Sequence, residues 1–254
     1  MKNKKIIGLT LLSALLISGC TNANDKTTPI KDSTNTPVKD STNTSTNTES
    51  VESENYQYYQ YYPLPDGTLA IAVGTNRYLQ YLTIPETHHG KMVTQIADNG
   101  FTNCTALKQI NLPDSINMIG EQAFSGCSSL NSINIPDGTF VIGNYAFARC
   151  SSLTSIVIPE GVTSIGNSAF SGCTSLTSVV IPEGVTSIGY SVFEGCSSLT
   201  SVVIPGSVTS IGYWAFSGCR SLTIYCVAEK QPKGWDDFWN YSDCPVVWGY
   251  KSKP

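Results

Sequence analysis

The chain has 254 residues, 41% of them hydrophobic and only 13% charged, with a formal net charge of -4. That balance supplies apolar material for a core and excludes a basic nucleic-acid binder, because an acidic chain has no means of neutralising a phosphate backbone. Without Lys2, Lys4 and Lys5 the count falls to 12 basic against 19 acidic side chains, so the remainder has no electrostatic attraction for anionic lipid head groups either.

Residues 1–19 have the three parts of an export signal: Met-Lys-Asn-Lys-Lys, an apolar run from Ile6 to Ile17, and the small residues Ser18 and Gly19. The run is too short for a permanent transmembrane helix, which needs about 18 to 20 residues. Ile17-Ser18-Gly19-Cys20 resembles the lipobox of bacterial lipoproteins. By that resemblance Cys20 carries a diacylglyceryl group, and two acyl chains hold a protein stably to a membrane without spanning it. The alternative is an ordinary secretory signal with an incidental cysteine. Residues 20–55 are then the lipidated cysteine and a tether. From Thr21 to Asn55, 20 of 35 residues are Ser, Thr or Asn and none is aromatic, so this stretch buries too little apolar area to offset its ordering entropy. A glycosylated mucin-like stalk and a bare tether fit that composition equally.

Residues 56–78 read as an N-terminal cap, with Asp66-Gly67 as a hairpin signal between strand-like residues. Residues 79–227 carry a repeat. Cys104, Cys127, Cys150, Cys173, Cys196 and Cys219 stand 23 residues apart, and Pro113 to Pro205, Gly120 to Gly212 and Leu107 to Leu222 keep the same interval. In the unit 153–175, Leu153, Ile156 and Ile158 point inward from a short strand while Ser155 and Val157 point out, and Pro159 ends the strand. Val162 and Ile165 supply a second inward pair, Gly166 a turn, and Ala169, Phe170 and Cys173 a compact helical return. A single coil cannot bury its apolar face alone, so stability must come from stacking. An irregular earlier coil begins at Leu79, with Thr87, His88, His89, Gly90 and Lys91 as a five-residue insertion. Residues 228–254 read as a C-terminal cap in which Trp235, Phe238, Trp239 and Trp248 form an aromatic lid.

The form with IP after the strand, then VTSIG, AF and GC, closely resembles the BspA-like, Treponema-type subclass of leucine-rich repeats over residues 79–227. It departs from the commoner leucine-rich form, since Pro stands where Asn or Cys usually follows the strand. The fold expected is an α/β solenoid: a leucine-rich repeat horseshoe of 23-residue coils with a parallel strand ladder, short helical returns and caps at both ends. The resemblance implies adhesion to host matrix proteins or to other cells, through a protein ligand on the host or a neighbouring cell. With the signal, it implies an exported monomer held to the bacterial envelope by its lipid alone and exposed at the surface.

The stacked cysteines keep parallel Cβ vectors and lack C-x-x-C spacing, so they read as buried thiols and not as disulfides or zinc ligands. Cys226 and Cys244 lie outside the row, and a cap disulfide between them is expected in an oxidising location. His88 and His89, with Glu86, form an incomplete metal-ligand set. Asp114, Asp137, Glu160 and Glu183 would stack as an acid ladder, and they read as turn residues with no pocket to raise a carboxyl pKa. No enzyme, cofactor or metal is expected. Binding is expected from surface instead. A polar row of Ser132, Ser155, Ser178 and Ser201, preceded by Gln109, lies beside a row of Asn134, Val157, Val180 and Val203, preceded by Asn111. Those valines fit a recognition face or plain strand preference. Tyr213 and Trp214, with Tyr190, follow the turn glycines where other coils carry Glu121, Asn144 or Asn167, and they either meet a partner or pack on the lid. A carbohydrate or cell-wall ligand is the alternative, favoured if these aromatics carry the contact.

Overall fold

The computed structural model describes residues 58–251. The expected signal, Cys20 and the tether lie outside them. Each coil contributes two short strands. In the coil of 153–175, Leu153, Ile156 and Ile158 are buried, the strand Ser155–Val157 exposes Ser155 and Val157, and the Val162 amide turns back onto Pro159 O. The second strand, Ser164–Ile165, buries Ile165. From Val141 to Ile211 the second strands stack in parallel without a register shift, as do the first strands from Ser155 to Ile204. Ser155 pairs with Ser178 and Ser178 with Ser201, while Ile142, Ile165, Ile188 and Ile211 pair in turn. The product is a parallel β-solenoid of about eight coils.

Inside it run two side-chain columns. Phe101, Phe124, Phe147, Phe170, Phe193 and Phe216 are fully buried and stack at 5.4 to 5.6 Å between ring centroids. Beside them the thiols from Cys127 to Cys219 each donate to a backbone carbonyl: Cys127 to Phe101 O at 3.0 Å, Cys150 to Phe124 O at 3.2 Å, Cys173 to Phe147 O at 3.2 Å, Cys196 to Phe170 O at 3.2 Å and Cys219 to Phe193 O at 3.1 Å.

The returns are not helical, which corrects the α/β expectation. In the return of 122–127, the Gln122, Phe124 and Gly126 amides donate across to Asn144, Ala146 and Ala148 of the next coil. Only the alternate amides, Ala123, Ser125 and Cys127, bond three residues back. Two left-handed residues four apart enforce this: Gln122 (φ 54°) with Gly126 (74°), then Ser168 (53°) with Gly172 (74°), and Trp214 (58°) with Gly218 (77°). An α-helix accommodates neither. The return is therefore a third ladder between coils, and it adds to the neighbour contacts on which a solenoid depends.

Distinct caps are corrected too. The Asp66-Gly67 hairpin forms, with Tyr59–Pro63 antiparallel to Leu69–Val73, but Leu69–Val73 then pairs parallel with Lys91–Ile96 and so begins the second-strand ladder itself. At the other end Val246–Val247 pairs parallel with Thr223–Cys226, and Trp235 bridges to Ile211, so residues 228–251 make one more coil. Trp235 and Trp239 are buried at the end of the phenylalanine column, with Trp239 edge-on to Phe216 at 5.9 Å, whereas Phe238 is 61% exposed. The five-residue insertion is a hairpin: Thr87–His88 runs antiparallel to Lys91–Ile96, and His89 (φ 49°) and Gly90 (φ 73°) make its two-residue turn.

Close coil approach sets one glycine requirement. A methyl on Gly166 would lie 2.6 Å from the Asn144 amide nitrogen and from Gly143 C, both backbone atoms of the preceding coil. Gly166→Ala is expected to cost about 1 to 3 kcal/mol. Gly138→Ala, whose methyl would meet nothing closer than 3.5 Å, is expected to stay within about 0.5 kcal/mol of wild type in urea unfolding.

Candidate interaction surface

The outward residues of the first strands make a repeated surface. Val157, Val180 and Val203 lie in register and are 66%, 56% and 37% exposed. Ladder pairing carries this row on to Tyr225 and Val247 at the C-terminal end. Beside it Ser155, Ser178 and Ser201 form the hydroxyl row and continue into Thr223. The face is not one sheet. Tyr81–Thr83, Gln109–Asn111 and Ser132–Ile133 pair among themselves, and no ladder joins Ser132–Ile133 to Ser155–Val157. A depression of about 250 Å³ lies over this break, lined by Gln109, Asn111, Ser132, Asn134, Ser155 and Val157 among others. Gln109 donates to Asn111 Oδ1 at 3.2 Å, and Asn111 to Thr83 Oγ1 at 3.3 Å, so the first half of the face is an amide network and the second a valine stripe. The sequence shows both rows but not the break.

Neither row contains a charged side chain, so the face itself offers shape and apolar surface without charge. The acid positions Asp114, Asp137, Glu160 and Glu183 are exposed on turns. No group of three His, Cys, Asp or Glu among the described residues has the geometry to hold a metal. His88 stacks on Tyr61 at 3.7 Å and packs edge-on against His89 at 4.0 Å, which engages the pair in ring contacts at the insertion hairpin.

Tyr213 and Trp214 pack towards the last coil and stay partly exposed. The Trp214 amide donates to Phe238 O of the last coil, yet its ring is 43% exposed and meets Tyr213 at 80° and Tyr241 at 54°.

The expected Cys226–Cys244 disulfide is corrected: both are buried free thiols. Ile224 pairs with Val246, which sets Cys226 and Cys244 four residues apart along the strand direction. That is roughly 13 Å at the usual rise, far beyond the Cα separation a disulfide spans. Cys244 instead joins the thiol row and donates to Cys219 O at 3.3 Å. The signal for this was present, since Tyr-Ser-Asp-Cys at 241–244 stands where earlier coils carry Phe-Ser-Gly-Cys. Burial pushes the Cys173, Cys219 and Cys226 thiols up to about 12 from an ordinary 9.0. Protonated and enclosed, they are poor nucleophiles and poor ligands.

Fold and face together define a leucine-rich repeat solenoid, a fold that is typically a non-enzymatic binding scaffold. The chain belongs to the family of the BspA-type leucine-rich repeat region, whose model matches residues 76–224 in six copies. It is similar to a leucine-rich repeat protein of T. pallidum, at 36% identity with a TM-score of 0.63 over 66% of this chain and 78% of that one. It is also similar to a leucine-rich cell surface protein of Faecalibacterium prausnitzii A2-165, at 35% identity with a TM-score of 0.58 over 71% of this chain and 55% of that one. No curated protein matches the chain. No helix among the described residues is long and apolar enough to cross a membrane.

Proposed function

We propose that the protein is a non-enzymatic surface lipoprotein whose solenoid binds a protein ligand, in adhesion to host matrix proteins or to other cells. The observation that carries this reading is the in-register row of Val157, Val180 and Val203, exposed on a rigid ladder. Strand preference explains a valine on a strand, but three solvent-facing valines beside Tyr225 make a contiguous apolar stripe of the kind that marks a binding surface. The similarity to a leucine-rich cell surface protein supports a surface location.

The test is binding of the full chain to immobilised matrix and surface proteins, against the double variant Val157→Arg, Val180→Arg. Both side chains point to solvent, so the variant should fold normally and lose at least about tenfold in affinity, or roughly 1.4 kcal/mol. Unchanged affinity would remove the strand face from the reading. The anchor is tested separately. Cys20→Ser is expected to move the protein from the membrane fraction to the soluble exported fraction, and wild-type protein that carries no acyl mass would overturn lipidation at that residue.

A further inference from the structure

A second row lies away from the first-strand face, at the two residues that follow each turn glycine, or Ala97 in the first of these coils. The first coils carry Asp98-Asn99 and Glu121-Gln122 there, and the later ones Asn144-Tyr145, Asn167-Ser168, Tyr190-Ser191 and Tyr213-Trp214. Charge is absent from Asn144 to Trp214 as aromatics accumulate, and returns in the last coil as the exposed Asp236 and Asp237. Tyr190 and Tyr213 stack at 5.2 Å, Trp214 stands at 80° to Tyr213, and Tyr241 of the last coil closes on Trp214 at 5.8 Å. Tyr145, Tyr213, Trp214 and Tyr241 are 39% to 60% exposed.

The fold does not ask for these rings. Tyr145 (φ 56°) and Trp214 (φ 58°) occupy the left-handed backbone position that Asn99, Gln122, Ser168 and Ser191 fill elsewhere, and a bulky ring is a poor choice for that conformation. Polar groups are set among them. Asn144 Oδ1 accepts the Asn167 amide at 2.8 Å and Asn167 Oδ1 accepts the Tyr190 amide at 3.1 Å, so each side chain is pinned by its oxygen and keeps its NH2 as a donor. The Tyr190 hydroxyl lies within reach of Tyr145 and Asn167.

We infer that this row binds a neutral β-linked polysaccharide laid along the solenoid axis. Tyr190 and Tyr213 turn their faces to each other and present their edges and hydroxyls, whereas Trp214, near-perpendicular to them, offers a ring face; the apolar, slightly positive C–H face of a pyranose suits that face, and its hydroxyl rim needs amide and phenol partners. Of the eight row positions from Asn144 to Trp214, all but the buried Ser168 and Ser191 reach the surface; these six supply both and carry no charge, which matches an uncharged chain. The repeat matches as well. One coil step, 5.2 Å between Tyr190 and Tyr213, is close to the length of one sugar unit in an extended β-linked chain, so successive units meet equivalent positions. From Tyr145 to Tyr241 the row offers about four such steps at the usual strand spacing. This site is independent of the strand-face reading.

The experiment titrates the full chain with β-1,4-linked hexamers of glucose and of N-acetylglucosamine, and with a hexamer of galacturonic acid. Calorimetry and tryptophan fluorescence supply the readouts. Binding of a neutral hexamer, with weaker binding of the charged one, is expected. Tyr213→Asn together with Trp214→Gln gives this coil the residues that Asn167 and Gln122 already place in its neighbours, so it should fold, and it should lose at least about tenfold in affinity. Val157→Arg, Val180→Arg should bind the sugar as wild type does. The proposal is overturned if neither neutral hexamer binds, if the aromatic variant binds as well as wild type, if galacturonate binds equally, or if the valine variant loses the sugar.

Discussion

Phe170→Ala is expected to destabilise the solenoid by about 3 to 5 kcal/mol, the range found when a buried aromatic ring is deleted from a packed core. Phe170 is fully buried and lies between Phe147 at 5.4 Å and Phe193 at 5.6 Å, nearly parallel to both. Its loss leaves a hole between two interfaces at once. In a chain of coils stabilised by nearest neighbours, a weak link in the middle does more than lower the total: it uncouples the two halves. The urea transition of Phe170→Ala should therefore broaden, and amides of one half should exchange before those of the other. Phe101 supplies the contrast. It stacks on Phe124 alone, so Phe101→Ala should cost less and fray one end while the remaining coils still unfold together. Equal losses at the two positions, with both transitions sharp, would mean that the coils fold as one block and that the additive picture fails.

The sequence carries that column because the same alternation that places Leu153, Ile156 and Ile158 inside also returns Phe every 23 residues. Inward and outward positions could be assigned one by one, and the buried set agrees with them, from Val162 and Ile165 to Cys173. The return reads as helical in the sequence because Ala169, Phe170 and Cys173 have the spacing of one helical face, and apolar spacing alone does not distinguish a helix from a turn that buries the same side chains. The discriminating signal was glycine. Gly126, Gly172, Gly195 and Gly218 precede Cys127, Cys173, Cys196 and Cys219, where a helix would be weakened and a left-handed residue is satisfied, and Arg149 (φ 60°) takes the same conformation before Cys150. The ends mislead for a related reason. A terminal coil need not keep the repeat, and Cys244 follows Cys219 by 25 residues instead of 23, so a strict period excludes a residue that the fold includes.

Of the two candidate surfaces, the strand face was legible because period-two alternation exposes it. The break in the face was not, since ladder hydrogen bonds leave no mark on residue type. The aromatic row was legible at Tyr190, Tyr213 and Trp214. Tyr145 stands three repeats before Trp214 and shares its position by the period alone, whereas the extension to Tyr241 depends on how the irregular last coil stacks.

The thiol row predicts an alkaline limit on stability. Burial raises the Cys150 and Cys196 thiols well above their ordinary 9.0 and brings Cys173 and Cys219 to about 12. Below pH 9 these thiols are protonated in the folded and the unfolded chain alike, and pH has no leverage through them. Above it the unfolded chain releases protons that the folded chain retains, so ionisation favours unfolding until the folded thiols titrate near 12. Each thiol contributes about 1.4 kcal/mol per pH unit in that window, and four together about 5 to 6. A domain stable by about 5 to 15 kcal/mol should then unfold within one to three pH units above 9. The Cys104–Cys127 pair is left out of this sum because its members shift in opposite directions, Cys104 being lowered by its hydrogen bond with Cys127. Cys173→Ala gives the sharpest test, since its effect should change sign. At pH 7 it should destabilise by about 1 to 2 kcal/mol, through a small cavity and the lost donation to Phe147 O. At pH 11 removal of a thiol that resists ionisation should return about 2 to 3 kcal/mol, leaving the variant equal to wild type or more stable. Urea midpoints of both proteins from pH 7 to 11 would decide it, and parallel curves would show that the buried thiols do not set the alkaline limit.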